Sequence, residues 1–171
     1  IYITFFRYFS TLDWHYLLIR PHIKLFCVLC THIKNTVLMQ EKLTNVSIDC
    51  VIFGFEAGEL KILLIKRDKE PELDKWSLPG GNIYIDEDIN DAAKRLLKEL
   101  AGIHNLFLCQ IGLFGDTNRY PTRRVISVLY CALVKPEQYE LLAGLHAKEV
   151  EWFNIEKIHR LPFDHNDMIE Y

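Results

Sequence analysis

Short apolar runs separated by charged turns make up most of the chain from Val46 onward. The runs VSIDCVIFGF and LKILLIKR flank the turn EAGE, so residues 46–67 are predicted to form a β-hairpin. NIYI predicts a short strand, and three longer runs predict further strands: LFLCQIGLFG, VISVLYCALV and EVEWFNI. Strands interspersed with two or three helices predict an α/β (α+β) fold, a mixed β-sheet sandwiched between helices.

A helix is predicted from about Asp88 to Ala101, with Gly102 as its C-terminal stop. At about 100° per residue its apolar side chains share one arc about 140° wide, as expected for a helix that lies on a sheet. The arc consists of Ile89, Ala92, Ala93, Leu96, Leu97 and Leu100. Shorter helices are predicted in EQYELLAGL, at IEKIH and from near Asp164, where Asp164 or Asn166 can cap the helix.

The beginning of the chain lacks this order. Residues 1–38 show neither strand alternation nor a sustained helical stripe. Charges at Arg7, Asp13, Arg20 and Lys24 interrupt the segment too often for a membrane span. We interpret residues 1–38 as an upstream extension and residues 39–171 as the native domain. An apolar extension that packs on the domain is the alternative.

Composition excludes several classes of protein. The 171 residues carry a formal net charge of −3 without any block of five or six like charges, so we expect no membrane partner and no direct nucleic-acid surface. The chain has five cysteines, of which Cys50, Cys109 and Cys131 lie in apolar runs. We expect these three to pack as small hydrophobes in a reducing cytoplasm. Cys27 and Cys30 form a C-x-x-C pair that lacks the further ligands of a zinc site.

The stretch GNIYIDEDINDAAKRLLKELAGI resembles the Nudix box, G-x5-E-x7-R-E-U-x-E-E-x-G-U, where U is an aliphatic residue. The matching residues are Gly81, Glu87, Arg95, Leu97, Glu99, Gly102 and Ile103. Leu96 and Leu100 replace two of the glutamates. WSLPGG before the box and EVEWFNIEKI near the end also look like Nudix segments, so the resemblance covers roughly residues 46–159.

In the Nudix family, glutamates of this helix hold Mg²⁺ or Mn²⁺, which activate water to split the pyrophosphate of a nucleoside diphosphate linked to another group. The resemblance leaves Glu99 and Glu87 as metal ligands and Arg95 as the third remaining box residue. Glu149 or Glu151 is a candidate for a further oxygen from the last strand. Aliphatic Leu96 and Leu100 cannot ligate a metal, which argues against efficient catalysis and against a required cofactor.

The sequence more closely resembles Nudix-type transcriptional regulators, the NrtR-like group, in which a degenerate Nudix domain binds an effector. Matching segments include LKILLIKRDKEP, WSLPGG, GDTNRYPTRRVISVLYCAL and LPFDHNDMIEY. The resemblance implies an ADP-ribose-like nucleotide or a sugar as the effector, a homodimer, and DNA contact only through a C-terminal domain. Residues 164–171 are then the start of a helix that leads into that missing domain.

Arginines and glycines near two loops are the candidates for effector binding, because arginine forks suit phosphate and glycines allow close backbone approach. The candidate ligand-binding residues are Arg67, Trp76, Gly80, Gly81, Asp116, Arg119 and Arg124. The alternative to ligand binding for residues 116–124 is a solvated loop. For Trp76 the alternative is packing under the loop that carries Gly80 and Gly81. An active hydrolase with a rearranged metal site is the second functional hypothesis, and a truncated, non-functional product is the third.

Overall fold

The computed structural model describes residues 41–171. It contains seven strands, β1 to β7, at Lys42–Glu56, Glu59–Arg67, Trp76–Ser77, Gly80–Tyr84, Cys109–Phe114, Ile126–Val134 and Ala147–Asn154. Helix α1 spans Ile89–Ala101 and helix α2 spans His165–Glu170. Short 3₁₀ turns occupy Pro136–Gln138 and Ile155–Lys157. The proposed extension at residues 1–38 lies outside the described residues.

Strand β1 is the centre of the sheet. One of its edges pairs in parallel with β6 along residues 46–54, and the other pairs antiparallel with β4 and then with β2. The main path is β3-β2-β1-β6-β5, with β4 added on β1 and β7 on β2. The predicted hairpin is therefore present as β1–β2. The mixed sheet with helices on its faces confirms the predicted fold class.

The two faces of the sheet carry separate apolar clusters. Alternate residues of β1 point to opposite sides, so Cys50 and Ile52 join one cluster and Val51 joins the other. The buried side of α1 covers the first cluster, and Met168 of α2 packs in the second. No helix among residues 41–171 is both long and apolar enough to cross a membrane.

Helix α1 begins and ends where the sequence predicts. The Asp88 carboxylate accepts a hydrogen bond from the Asn90 backbone N–H at 2.8 Å, and Gly102 adopts φ 74° after the last turn. Ala92, Ala93, Leu96, Leu97 and Leu100 are buried as the apolar arc predicts. Ile89, in the first turn next to the N-cap, instead remains 37% exposed.

The predicted helix in EQYELLAGL is wrong. After the 3₁₀ turn, this segment runs back along the end of α1, where the backbone N–H groups of Leu142 and Gly144 donate to the carbonyls of Ala101 and Leu100. A helix end leaves its last carbonyl groups without partners, and the segment satisfies two of them by staying extended. The backbone of this segment therefore forms hydrogen bonds with the end of α1 instead of forming a separate helix.

Two smaller expectations also need correction. Asp164 stands at the N-cap position of α2, but its carboxylate makes no capping hydrogen bond because it binds Arg119 instead. Cys50 is fully buried as predicted, whereas Cys109 is exposed because it begins the outer strand β5. Cys131, on the neighbouring strand, is half-buried.

A methyl group at Gly80 tests the tight approach of β4 to β1. A Cβ built at Gly80 would lie 2.5 Å from the Ile48 carbonyl oxygen and would collide with the Asp49 carboxylate. We expect Gly80→Ala to lower the free energy of unfolding by about 1–3 kcal/mol, as measured by urea denaturation. Gly115→Ala is the control, because its Cβ would meet its nearest atom at 3.8 Å. Equal effects at both positions would contradict the packing described here.

Candidate ligand-binding site

Glu87, which precedes α1, and Glu99, near the end of α1, form one cluster with Arg95 in the middle of the helix. The Arg95 guanidinium donates to both oxygens of Glu87, from Nε at 2.7 Å and from Nη2 at 2.8 Å. Its Nη1 donates to Glu99 at 3.0 Å, and Nη2 also reaches the Asn82 carbonyl at 3.1 Å. The same guanidinium lies 4.1 Å from the centre of the Tyr84 ring. Arg95 therefore ties the β4 turn to the helix.

This cluster fixes the charge states of Glu87 and Arg95. The hydrogen bonds from Arg95 lower the pKa of Glu87 despite partial burial, and the Tyr84 backbone N–H adds to the effect. Burial acts to lower the pKa of Arg95, but Glu87 and Glu99 outweigh it and raise that pKa overall. Glu87 is thus held as a carboxylate whose two oxygens already accept hydrogen bonds.

Leu96 and Leu100 belong to the hydrophobic core. They are 6% and 4% exposed, and both lie in the cluster between α1 and the sheet. A Cβ built at Gly81 would lie 2.7 Å from Leu96 Cδ2, so the glycine of the box is in contact with the leucine that replaces a box glutamate. The backbone of β4 thus packs directly on an apolar side chain at this position.

The donor set of the helix does not fit a Nudix-type metal centre. Mg²⁺ requires about six oxygen ligands. Of the two glutamates that match the box, both oxygens of Glu87 and one of Glu99 accept hydrogen bonds from Arg95, which leaves Glu99 Oε1 outside these bonds. No group of three or more His, Cys, Asp or Glu side chains among these described residues is arranged to hold a metal ion.

The glutamates suggested from the last strand do not complete the set. On β7, Val150 and Trp152 pack against the α1 side of the sheet, whereas Phe153 packs on the other side. Because strand residues alternate, Glu149 and Glu151 share the face of Phe153 and point away from α1. Glu149 is also bound to Lys66 at 2.7 Å. The expectation that either residue adds an oxygen beside Glu99 is therefore wrong.

A second polar cluster lies buried at the other face of the sheet. Arg119 Nε and Nη2 donate to the two oxygens of Asp164 at 2.7 and 2.8 Å, and Nη2 lies 3.5 Å from Asp49 Oδ2. The Ser127 hydroxyl donates to the same Asp49 oxygen. Burial acts to lower the pKa of Arg119, but Asp164 and Asp49 raise it overall, so the guanidinium remains charged. Arg119 thereby joins its loop to β1 and to the start of α2.

His165 extends this buried cluster. Its side chain is 4% exposed, and Nδ1 accepts a hydrogen bond from the Leu78 backbone N–H at 3.1 Å. Nε2 lies 3.7 Å from Asp49 Oδ1. Burial lowers the pKa of His165, against the carboxylates of Asp49 and Asp164, which act to raise it. The neutral ring is the form that accepts the Leu78 hydrogen bond.

Aromatic and cationic side chains stack beside this cluster. The rings of Tyr120 and Phe163 are parallel within 18°, with centroids 5.1 Å apart. Arg67 lies 5.3 Å from the centre of the Phe163 ring, and its Nε donates to the Pro71 carbonyl at 2.9 Å. Arg123 lies 5.2 Å from the centre of the Tyr120 ring. The arginine-rich loop is thus in contact with the chain just before α2.

The predicted ligand-binding residues fall into three groups. Gly80 and Gly81 pack against Asp49 and Leu96, and Trp76 packs edge-on against Phe153 with centroids 4.7 Å apart. Arg67 and Arg119 are held by the contacts just described. Asp116 and Arg124 lie exposed on the loop between β5 and β6.

Sequence reasoning did not single out Asp49 or Ser127 or connect Asp164 with Arg119. The available signal was a single charged residue within the apolar run VSIDCVIF and a serine within the apolar run VISVLY.

This sheet, with Gly80 and Gly81 at the start of β4 and the cluster of Glu87, Arg95 and Glu99 beside α1, defines a Nudix-fold protein. A family model described as NUDIX domain matches residues 43–171, and the chain belongs to that family.

The matched relatives are of two kinds. The chain is 34% identical over 128 residues to the ADPR responsive transcriptional repressor NtrR of Acinetobacter baylyi. The aligned region covers 72% of this chain and 51% of the repressor. It is also 34% identical over 117 residues to the ADP-ribose pyrophosphatase of Methanocaldococcus jannaschii, and this aligned region covers 68% of each chain. The chain therefore spans about half the length of the repressor and two thirds of the pyrophosphatase.

A solved structure gives the same picture. The NUDIX domain of Shewanella oneidensis NrtR, crystallised with ADP ribose, superposes with a TM-score of 0.69 and 26% identity, covering 82% of this chain and 94% of that domain. The expected resemblance to the Nudix family and its NrtR-like members is confirmed. The chain is related both to ADP-ribose-responsive regulators and to ADP-ribose pyrophosphatases.

Replacing Leu96 tests whether this residue stabilises the hydrophobic core. We expect Leu96→Ala to lower the free energy of unfolding by about 2–5 kcal/mol, because it leaves a cavity between α1 and the sheet. Lys98→Ala, on the exposed side of the same helix, is expected to change it by less than about 0.5 kcal/mol. Urea denaturation measures both values. A Leu96→Ala protein as stable as Lys98→Ala would show that Leu96 is not a core residue.

The burial of His165 predicts a dependence of stability on pH. Its pKa is lowered in the folded protein, so the unfolded chain takes up the proton first as the pH falls below about 6.5. The contribution of His165 is full above that pH and is lost as the pH falls toward the folded pKa, with a slope of up to about 1.4 kcal/mol per pH unit. Urea denaturation between about pH 5 and pH 7.5 measures the slope.

His165→Asn is the matched control, since an asparagine carbonyl can still accept from the Leu78 N–H without titrating. The slope of unfolding free energy against pH should be smaller in His165→Asn than in the wild-type protein, by the contribution of His165. Identical slopes in the two proteins would refute the assignment.

Proposed function

We propose that this Nudix domain binds an ADP-ribose-like nucleotide or a sugar-type effector, and that it is the sensor part of a transcriptional regulator. The observation that carries the proposal is the burial of Leu96 and Leu100, where the Nudix box has glutamates. Aliphatic side chains offer no oxygen to a metal, and a hydrolase of this family depends on metal-activated water. The names of the Acinetobacter repressor and of the Shewanella complex support the choice of ADP-ribose.

In this proposal the loop between β5 and β6 recognises the effector. Exposed Arg124 supplies a guanidinium for the diphosphate, and exposed Asp116 accepts from ribose or sugar hydroxyls. The proposal keeps Gly80, Gly81, Arg67 and Trp76 as further ligand contacts. Of these, Arg67 contacts Phe163, which stacks on Tyr120 of the loop. Arg119 takes a positioning role, since both arms of its fork are bound to Asp164.

The proposal extends to the partners of the whole protein. A regulator of this kind would act as a homodimer and would contact DNA through a further domain, which is in keeping with the greater length of the Acinetobacter repressor. The charge of this chain, −3 overall, is poorly suited to a DNA surface of its own.

Hydrolysis of ADP-ribose is the second candidate function. The similarity to the Methanocaldococcus pyrophosphatase favours it, and Glu87, Arg95 and Glu99 are the box residues that would serve it. Mg²⁺ or Mn²⁺ would then be required. Glu87 and Glu99 would have to exchange hydrogen bonds with Arg95 for bonds to the metal.

Binding and turnover assays with ADP-ribose separate the two functions. We expect calorimetric titration to detect binding without added metal. We expect AMP release with Mg²⁺ or Mn²⁺ to stay well below about one per second, the low end for typical enzymes. Turnover at or above that rate would favour the hydrolase, and the absence of both binding and turnover would reject ADP-ribose for either role.

Paired variants test the assigned loop. We expect Arg124→Ala to weaken ADP-ribose binding by about ten- to a hundredfold, since a charged hydrogen bond contributes about 1.5–3 kcal/mol. Lys94→Ala removes an exposed positive charge from the solvent side of α1 and should leave the affinity unchanged. Equal affinities for the two variants would place the effector elsewhere.

A further inference from the structure

Cys109 and Cys131 face each other across two antiparallel strands. They are direct partners in the register of β5 and β6, and both line the same open groove of about 790 Å³. Residues directly opposite in an antiparallel pair point to the same side of the sheet. Their Cα atoms lie about 4.5 or 5.5 Å apart, depending on the type of pair, and both spacings fall within the range of about 4.4–6.8 Å found for disulfides. The backbone therefore already holds the spacing that a disulfide needs.

The two thiols differ in their access to solvent. Cys109 is exposed at the start of the outer strand, whereas Cys131 is half-buried beside it. Burial raises the pKa of Cys131, and the neighbouring Cys109 adds to that effect. Cys109 is thus the thiol that meets an oxidant, and Cys131 is the thiol positioned to react with it afterwards.

We propose that Cys109 and Cys131 form a reversible disulfide in response to a peroxide. The Cys109 thiolate attacks one oxygen of the peroxide, the O–O bond breaks, and Cys109 becomes a sulfenic acid. The sulfur of Cys131 then attacks that of Cys109, the S–S bond forms, and the hydroxyl leaves as water. With hydrogen peroxide, two thiols and one peroxide give one disulfide and two waters.

The disulfide would act on the loop between β5 and β6. Residues 109–131 contain β5, the first part of β6 and the whole loop that carries Asp116, Arg119 and Arg124. Among the described residues, β5 pairs with β6 alone, and its register shifts between Gln110 and Gly112. A covalent link at Cys109 would hold this irregular outer strand in place. The assignment does not depend on the effector proposed above.

Hydrogen peroxide titration of the full chain tests the disulfide. Cys27 and Cys30 lie outside the described residues, so both are replaced by serine in the background protein. We expect Cys109 and Cys131 to be lost together as free thiols and recovered in one cross-linked pair of peptides, about 2 Da lighter than the separate peptides. Dithiothreitol should restore both thiols. Cys50 is an internal control, because it is fully buried and should stay reduced.

Single variants distinguish a paired device from an exposed thiol. In Cys131→Ser, we expect Cys109 to be trapped as a sulfenic acid and then over-oxidised, with no internal cross-link. The oxidised background protein should unfold at a higher temperature than its reduced form, and Cys131→Ser should lose that increase. Circular dichroism checks that each variant is folded.

Two results would overturn the proposal. One is a sulfinic acid at Cys109 while Cys131 remains a free thiol in the same chain. The other is a Cys109–Cys109 link between two chains in place of the internal bond.

Discussion

The buried ion pair between Arg119 and Asp164 holds together parts of the domain that are far apart in sequence. It connects the loop after β5 with the first residue before α2, and Asp49 and Ser127 join it to the two central strands. A buried guanidinium is tolerated only when its hydrogen bonds are satisfied, and here two carboxylates surround it. Removing one partner would leave an uncompensated charge inside the protein. The position of the loop and the position of α2 therefore depend on the same interaction.

On the opposite face of the sheet, the positions of α1 that hold metal ligands in the Nudix box overlap with positions that face the hydrophobic core. Leu96 and Leu100 fill the core, and the remaining acidic residues Glu87 and Glu99 are bound to Arg95. The Nudix outline survives because the glycine turn, the arginine cluster and the helix caps still organise the backbone around β4. The fold is thus compatible with leucines at two positions where the box has glutamates, since different residues of the motif serve packing and metal binding.

Local signals explain what the sequence predicted well. Asp88, Gly102 and the apolar arc between them determine the bounds of α1 through hydrogen bonds and packing within a few residues. The extended path of residues 139–144 was missed because its partners are the carbonyls at the end of α1, which no local pattern reveals. The cluster around Arg119 was missed for the same reason, since its side chains come from four separate segments. The resemblance to the Nudix box predicted the family, whereas the ion pair of Arg119 with Asp164 is visible only in the distances between their side chains.

The parallel pairing of β1 with β6 also has a consequence for how the chain folds. Ser47 and Ser127 touch across this pair although they are 80 positions apart, whereas the β1–β2 hairpin closes over only a few residues. Contacts between distant residues form slowly, because the chain must first lose the entropy of closing a long loop. The middle of the sheet would therefore be completed late, after the hairpin and α1. Until then the edge of β1 that later pairs with β6 would be open to pairing with other chains, so the domain would be most prone to aggregate while its central strand is only partly paired.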